Sequence, residues 1–289
     1  MTIINSANYT VTQYNVLSVS STGAVTNLAP STSGFALASN GAAVAPSFQL
    51  VPVGLGINVK VFTYTGSSQT YTPSTGLVYA DIICVGGGGG GGGCTGAGAS
   101  KGIAAAGGGG GFYSRLIASA ATLGSSQTVT VGAGGGGGAA GGQHNGTVGG
   151  ASSVGTLCIA LGGVLGSTTL VAGTNPAISN YCQGVFTQST SGNTGDVIIL
   201  GSCGGGGSSL WISNTVQFAQ GGRGGSSYFG GAMGSAFGNA DGTAGPGNNG
   251  VGIGTGGGGA WSCSNSTGIS TQTGGNGASG IVIITEYVT

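Results

Sequence analysis

Followed for the alternation of apolar and polar positions, the chain breaks into short extended segments separated by runs of glycine. Asn58–Thr65 sets Val59, Val61 and Thr63 against Lys60, Phe62 and Tyr64, the period of two expected of a strand with unlike faces. Gln69–Thr72, Leu77–Val85, Tyr113–Ala118 and Gln127–Val131 follow, with glycine and proline between them. Tyr79–Val85 and Ile281–Val288 are apolar on both faces, which predicts central strands. Ahead of these, Tyr9–Tyr14, Val16–Val19 and Phe48–Val53 read as short strands, with turn signals at Pro30-Ser31 and Asn40-Gly41. No stretch carries a helical period, so almost no α-helix is predicted.

The glycine runs form a second pattern. Asp81-Ile-Ile-Cys-Val leads without a break into eight glycines, Gly86–Gly93, and further blocks lie at Gly107–Gly111, Gly134–Gly138, Gly204–Gly207, Gly221–Gly225 (with Arg223 inside), Gly256–Gly259 and Gly274–Gly277. Asp196-Val-Ile-Ile-Leu-Gly201-Ser-Cys-Gly204 echoes the strand-then-glycine unit of Asp81 onward. Glycine loses the most backbone entropy on folding and gives no side chain to a core, so this many blocks need a structural reason. Extended helices of three residues per turn, packed side by side, supply one: bare backbones approach closely and bond across the gaps, satisfying amides that a lone helix leaves to water. A flexible linker is the alternative.

Composition narrows the choice. The 289 residues include 71 glycines, more than three times the usual fraction of about 7%. Collagen fails, since there is no sustained Gly-X-Y period and only six prolines. Disorder fails too, because disordered chains are poor in hydrophobics, whereas this one is 39% hydrophobic with a mean hydropathy of +0.34. The expected fold is therefore all-β, a β-sandwich scaffold from residues 57–133 and 281–289 carrying a polyglycine II array and loops over 134–280. Residues 1–56, poor in glycine, form a short attachment or trimerisation segment. Leu157–Ala172 is apolar but interrupted and too short for a membrane span. The first residues lack a basic n-region and an apolar h-region, which argues against a secretory signal.

Only eight side chains are formally charged, and they sum to zero. Nucleic acid is thereby excluded as a partner, since binding it rests on Lys and Arg neutralising phosphates. Asp81 and Glu286, on apolar strands, are expected to meet Lys60 or Arg115 across the sheet. Catalysis is not expected, nor any cofactor or metal. No block carries the Lys-Ser/Thr of a phosphate loop, and a GxGxxG match inside polyglycine means nothing without a following helix. His144 has no acid nearby in sequence, and Asp81 with Glu286, the one carboxylate pair a glycosidase could use, lies on scaffold strands. The six cysteines show no CxxC spacing and read as free or buried thiols.

Aromatics are the better functional signal. Trp211, Phe218, Tyr228, Phe229, Phe237 and Trp261 fall in segments separating the late glycine blocks. Straight, stacked helices push such connections to the ends of the stack, where these rings would be displayed together. Aromatics beside Ser, Asn and Gly resemble a loop paratope, rigid contact area next to adaptable hydrogen-bonders. The other reading is that they cap the array as local core.

The run Tyr71-Thr-Pro-Ser-Thr-Gly-Leu-Val-Tyr-Ala-Asp-Ile-Ile-Cys-Val-Gly, then Gly-Gly-Gly-Phe-Tyr-Ser-Arg115, Gln127-Thr-Val-Thr-Val-Gly and the ending Gly280-Ile-Val-Ile-Ile-Thr-Glu-Tyr, resembles the glycine-rich domain of bacteriophage tail fibre and receptor-binding proteins. Asn27–Gly41 resembles N-terminal segments of short-tailed phage fibres. The resemblance implies a homotrimer at a virion fibre tip, attached to other tail proteins through its N-terminal segment. It also implies binding of a bacterial surface protein or polysaccharide through the connecting loops. The long, glycine-poor Val164–Leu200 departs from the regular members and predicts a strand-bearing interruption. The rivals are a purely structural virion component, an ice-binding or wall-associated glycine-rich protein and a glycan depolymerase.

Overall fold

The computed structural model describes residues 16–19, 25–28, 35–38, 47–50, 55–98, 101–141, 144–167, 191–213, 216–232, 234–264 and 271–289. Residues 1–55 with Thr289 cluster as one unit and Gly56–Val288 as another. In the first, β1 (Val16–Val19) pairs antiparallel with β2 (Val25–Leu28), and β3 (Phe35–Ala38) pairs with β4 (Ser47–Leu50). Asn40-Gly41 falls between β3 and β4; the expected strand Tyr9–Tyr14 lies outside the described residues.

The second unit is nearly all β. Its chain order is β5 (Gly56–Thr63), β6 (Gln69–Tyr71), β7 (Leu77–Val85), β8 (Lys101–Ala104), β9 (Tyr113–Ser119), a single helical turn α1 (Ala120–Leu123), β10 (Gln127–Thr130), β11 (Ser152–Val154), β12 (Cys158–Ala160) and β13 (Val197–Ile199). After these come β14 (Ser208–Ser213), β15 (Val216–Gln220), β16 (Phe237–Gly238), β17 (Thr243–Gly245), β18 (Trp261–Ser264) and β19 (Ile281–Val288). Ser119 caps α1 by accepting from the Thr122 amide, and Gln127 Nε2 donates to the Leu123 carbonyl.

A five-stranded antiparallel sheet in the order β13-β9-β7-β19-β5 packs against a four-stranded one, β12-β11-β10-β6. Alternation decides what lies between them. Ala80, Ile82 and Cys84 of β7 and Val282 and Ile284 of β19 face inward, onto Tyr71, Val129, Val154, Cys158 and Ala160 of the other sheet. The two strands read as apolar on both faces, β7 and β19, are indeed neighbours in the middle of the five-stranded sheet.

The sandwich does not stop at its strand ends. Val85 is the last residue of β7, and it pairs with Ile281 at the start of β19 and with Tyr113 at the start of β9. At that common level the three chains become glycine segments. The segment 86–94 prolongs β7, while 105–112 leads into β9 and 272–280 into β19. In the same way β10, β12 and β13 run on into 132–138, 161–167 and 201–207, and 144–150 leads into β11.

Hydrogen bonds give these segments their geometry. Every N–H from 86 to 94 donates to another segment, in a strict rotation of three. Gly86, Gly89 and Gly92 donate to Phe112, Gly109 and Ala106; Gly87, Gly90 and Gly93 to Gly150, Thr147 and His144; Gly88, Gly91 and Cys94 to Ala278, Gly275 and Gln272. The carbonyls follow the same rule, those of Gly87 and Gly90 accepting from Gly163 and Gly166, Gly88 and Gly91 from Gly135 and Gly138, and Gly89 and Gly92 from Gly257 and Ala260. A period of three residues is that of a polyproline II-type helix. Here it surrounds segment 86–94 with six others: three antiparallel neighbours accept from its N–H groups and three parallel neighbours donate to its carbonyls. Glycine is required because the side-chain directions point straight at neighbouring backbone. A Cβ on Gly88 would overlap the Thr255 carbonyl, and one on Gly90 the Gly136 carbonyl. Among the described residues ten such segments form the array, the remaining three being 221–227, 246–250 and 254–260.

At the end away from the sandwich the segments turn back into strands. Two three-stranded sheets, β14-β15-β16 and β17-β18-β8, face each other there, with Ala219, Trp261 and Cys263 buried between them. Two expectations are corrected by this arrangement. The division at residue 134 fails, since β11, β12 and β13 belong to the sandwich and segments 86–94 and 105–112 to the array. The connections at the far end are sheets with their own small core, not loops. Within Val164–Leu200 the expected strand is β13; residues 168–190 lie outside the described ones.

Candidate binding surfaces

The charged residues of the sandwich are committed to each other. Glu286 is fully buried at the inner face of β19, where Lys60 Nζ lies 3.1 Å away and Tyr71 Oη, Ser74 N and Ser74 Oγ donate to its carboxylate at 2.9, 2.9 and 2.6 Å. Burial alone would raise its pKa, but the bonds from Ser74, Tyr71 and Lys60 outweigh it and hold the carboxyl below its ordinary value. Tyr71 is correspondingly pushed up, by burial and by Glu286. On the outer face, Arg115 grips Asp81 with two bonds of 2.8 and 2.7 Å. The sequence matches these two acids to these two bases but leaves open which meets which; the fold pairs Glu286 with Lys60 and Asp81 with Arg115. Because Asp81 pairs with Thr285 and Glu286 with Ala80, the two acids point to opposite faces of the sheet and form no carboxylate pair.

His144 lends its backbone to the array, its carbonyl accepting from Gly93. Cys84, Cys94, Cys158 and Cys263 are buried free thiols, and burial pushes Cys94 and Cys263 up to about 11. Among the described residues no three His, Cys, Asp or Glu gather as a metal site. None of the described helices is long and apolar enough to cross a membrane.

The six aromatics divide between the two ends of the array. Tyr228 and Phe229 sit next to the sandwich, on a turn closed by the Ser227 amide donating to the Gly230 carbonyl at 2.9 Å. Both are exposed. Tyr228 stacks at 4.2 Å on Tyr113, and Phe229 meets Tyr113 and Tyr228 edge-on at 6.4 and 5.1 Å. Phe218 and Phe237 lie at the far end with ring centroids 6.1 Å apart, Phe237 being 61% exposed. Gln220, paired with Phe237 across β15 and β16, donates to Ser235 Oγ at 2.6 Å, and Asn248 Nδ2 donates to the Gly234 carbonyl at 3.0 Å. These polar neighbours fix the strands that carry the rings.

Trp261 is the exception. It is only 8% exposed, its indole lying where a Cβ on Gly238 or Gly245 would stand. Its expected display is corrected: alternation along β18 turns it into the far-end core. Trp211 pairs with Gln217 across β14 and β15, and its side chain lies outside the described residues. The expected common surface is thus two separate aromatic pairs. Tyr113, absent from the expected set, joins the first of them. It was visible only as a strand residue, since its role depends on Tyr228, 115 positions away, folding back over it.

In comparisons with known proteins, residues 63–287 match a family described as a glycine-rich domain, a span that covers most of the sandwich and the entire array. No curated protein matches the chain.

Proposed function

Given that this chain belongs to the glycine-rich domain family, we propose that it is a receptor-binding protein of a bacteriophage tail fibre, a non-enzymatic adhesin whose exposed aromatics contact a bacterial surface protein or polysaccharide. The observation that carries this reading is a pair of aromatic sites, the exposed Tyr228–Phe229 and the exposed Phe237 beside half-buried Phe218, each fixed at one end of a hydrogen-bonded glycine array. Rigid aromatic area on a frame with little to reorder loses little entropy on binding. The near absence of charge leaves hydrophobic and hydrogen-bonded contacts as the means of recognition. Several copies, joined to other tail proteins through residues 1–56 in a homotrimeric fibre, would multiply weak contacts into strong adsorption.

The buried Trp261 and the internally bonded array favour a second reading, a purely structural fibre component. Binding of fluorescently labelled protein to host cells separates the two. In the adhesin reading wild type decorates cells, while Phe237→Ala or the double change Tyr228→Ala/Phe229→Ala binds at least about tenfold more weakly at unchanged Tm, one exposed aromatic anchor being worth about 1–2 kcal/mol. Failure of the wild type to bind any cell the parent particle infects leaves the structural reading.

A further inference from the structure

The two outer faces of the sandwich are built from different residues. The four-stranded sheet turns Thr70, Thr128, Thr130 and Ser153 outward, as a water-facing sheet should. The five-stranded sheet does the opposite. Across β5, β19, β7, β9 and β13 its outer face presents Val59, Val61, Ile283, Ile83, Ile117 and Val197, flanked by Tyr79 and Tyr287 stacked at 4.4 Å. Val59, Val61 and Ile117 are each more than half exposed. Four strands of seven to nine residues and the three-residue β13, about 4.8 Å apart, make a face of about 500 Å². That is at the upper end of what an ordinary monomer leaves open, and close to the roughly 600 Å² per partner of a small specific interface.

From this we infer that the outer face of the five-stranded sheet is the contact through which copies of this chain associate. The occupant follows from charge. At the rim, Asp196 stands exposed beside β13 with its carboxylate accepting from the Ile117 amide; the face itself holds one acid and one base, Asp81 and Arg115, which already neutralise each other in a bidentate pair. It can therefore be covered without burying an unmatched charge, but only by a surface that brings none of its own. The same face on a second copy meets that condition: it is equally apolar, and its charges are equally self-matched. An acidic or basic partner would find no free counter-charge on the face inside that rim. Among the described residues no further strand pairs with either edge of the sheet, β5 or β13. The inference rests on the multi-copy part of the function proposed above; of the two aromatic sites, Tyr228–Phe229 borders this face through Tyr113, while Phe218–Phe237 lies at the far end of the array.

The test is sedimentation velocity of the full chain over a wide range of concentration, for wild type, Val59→Lys and Ile117→Lys. Their exposure lets a lysine reach water in the monomer, and equal melting curves confirm folding. Wild type is expected to assemble, and each variant to associate at least about tenfold more weakly, as interface-centre charges do. A photo-crosslinking residue at Val61 provides an independent readout, forming adducts between copies where one at Val148, exposed on the segment 144–150, forms none. A wild type that stays monomeric overturns the inference, as do lysine variants that assemble normally or a Val61 probe that joins no copies. Host-cell binding is scored separately. Decoration of cells by a monomer would sink this interface and leave the adhesin reading standing, while assembly without decoration would do the reverse.

Discussion

The Lys60–Glu286 contact shows how much a single buried acid can govern in a chain with so few charges. Glu286→Gln keeps the shape but leaves Lys60 half-buried without its counter-charge, and a loss of about 2–4 kcal/mol in urea unfolding is expected. The pH dependence follows from the lowered folded pKa. The carboxylate's contribution is complete above the unfolded value of about 4.3 and disappears as pH falls through the lower folded value. Wild-type stability should therefore drop between about pH 4 and the folded pKa, and the Gln variant should lose that part of the drop. Thiol chemistry gives a second check on burial: alkylation of the native protein at neutral pH should modify the part-exposed Cys203 and spare Cys84, Cys94, Cys158 and Cys263, read out by peptide mass spectrometry. The ion pairs were legible in the sequence because an acid on an apolar strand must find a base, and only four bases exist. The fate of Trp261 was not legible. Whether a ring at the end of a glycine run is displayed or buried depends on Gly238 and Gly245, which share no local pattern with it.

Among elements, the glycine segments behave unlike ordinary turns or linkers, and position within the lattice decides the effect of one methyl group. Gly90→Ala drives a Cβ into the Gly136 backbone, which is itself bonded and cannot move aside; a loss of about 3 kcal/mol or more, or failure to fold, is expected. Gly136→Ala, whose Cβ meets only Thr147 Oγ1 at 3.6 Å, should cost less than about 1 kcal/mol. Thermal melts of the two compare a lattice centre with a lattice rim inside the same glycine-rich chain. The strands β5, β6, β7, β9, β10 and β19 were readable from alternation, and the array from the sheer number of blocks. The strands β11, β12 and β14 to β18 were not, being two to six residues long and embedded in glycine, so that their pairing partners and not their own sequence make them strands. For the same reason the boundary between scaffold and array could not be drawn along the chain: each rod of the Gly56–Val288 unit is part strand and part glycine segment.

For the molecule as a whole, the two ends of the array respond differently to truncation. Trp261→Ala empties the far-end core and should lower stability by about 3–5 kcal/mol, measurable by calorimetry. Tyr228→Ala and Phe237→Ala remove exposed rings and should leave Tm nearly unchanged. The six-neighbour surroundings of 86–94 have a consequence in time. A nascent chain that has reached Cys94 holds none of the partners these amides need; the last of them, Ala278, follows Gly88 by 190 residues. The centre of the lattice must then close late, after loops of up to about 190 residues have been brought together, which places this domain among slow folders of high contact order. Once closed, it has no small way to open. Releasing one glycine amide from the centre requires parting seven segments at once, so amides 86–94 should exchange with deuterium only at the rate of global unfolding, while those of the surface turns exchange freely. A protein assembled this way is guarded less by the depth of its free-energy minimum than by the height of the barrier around it.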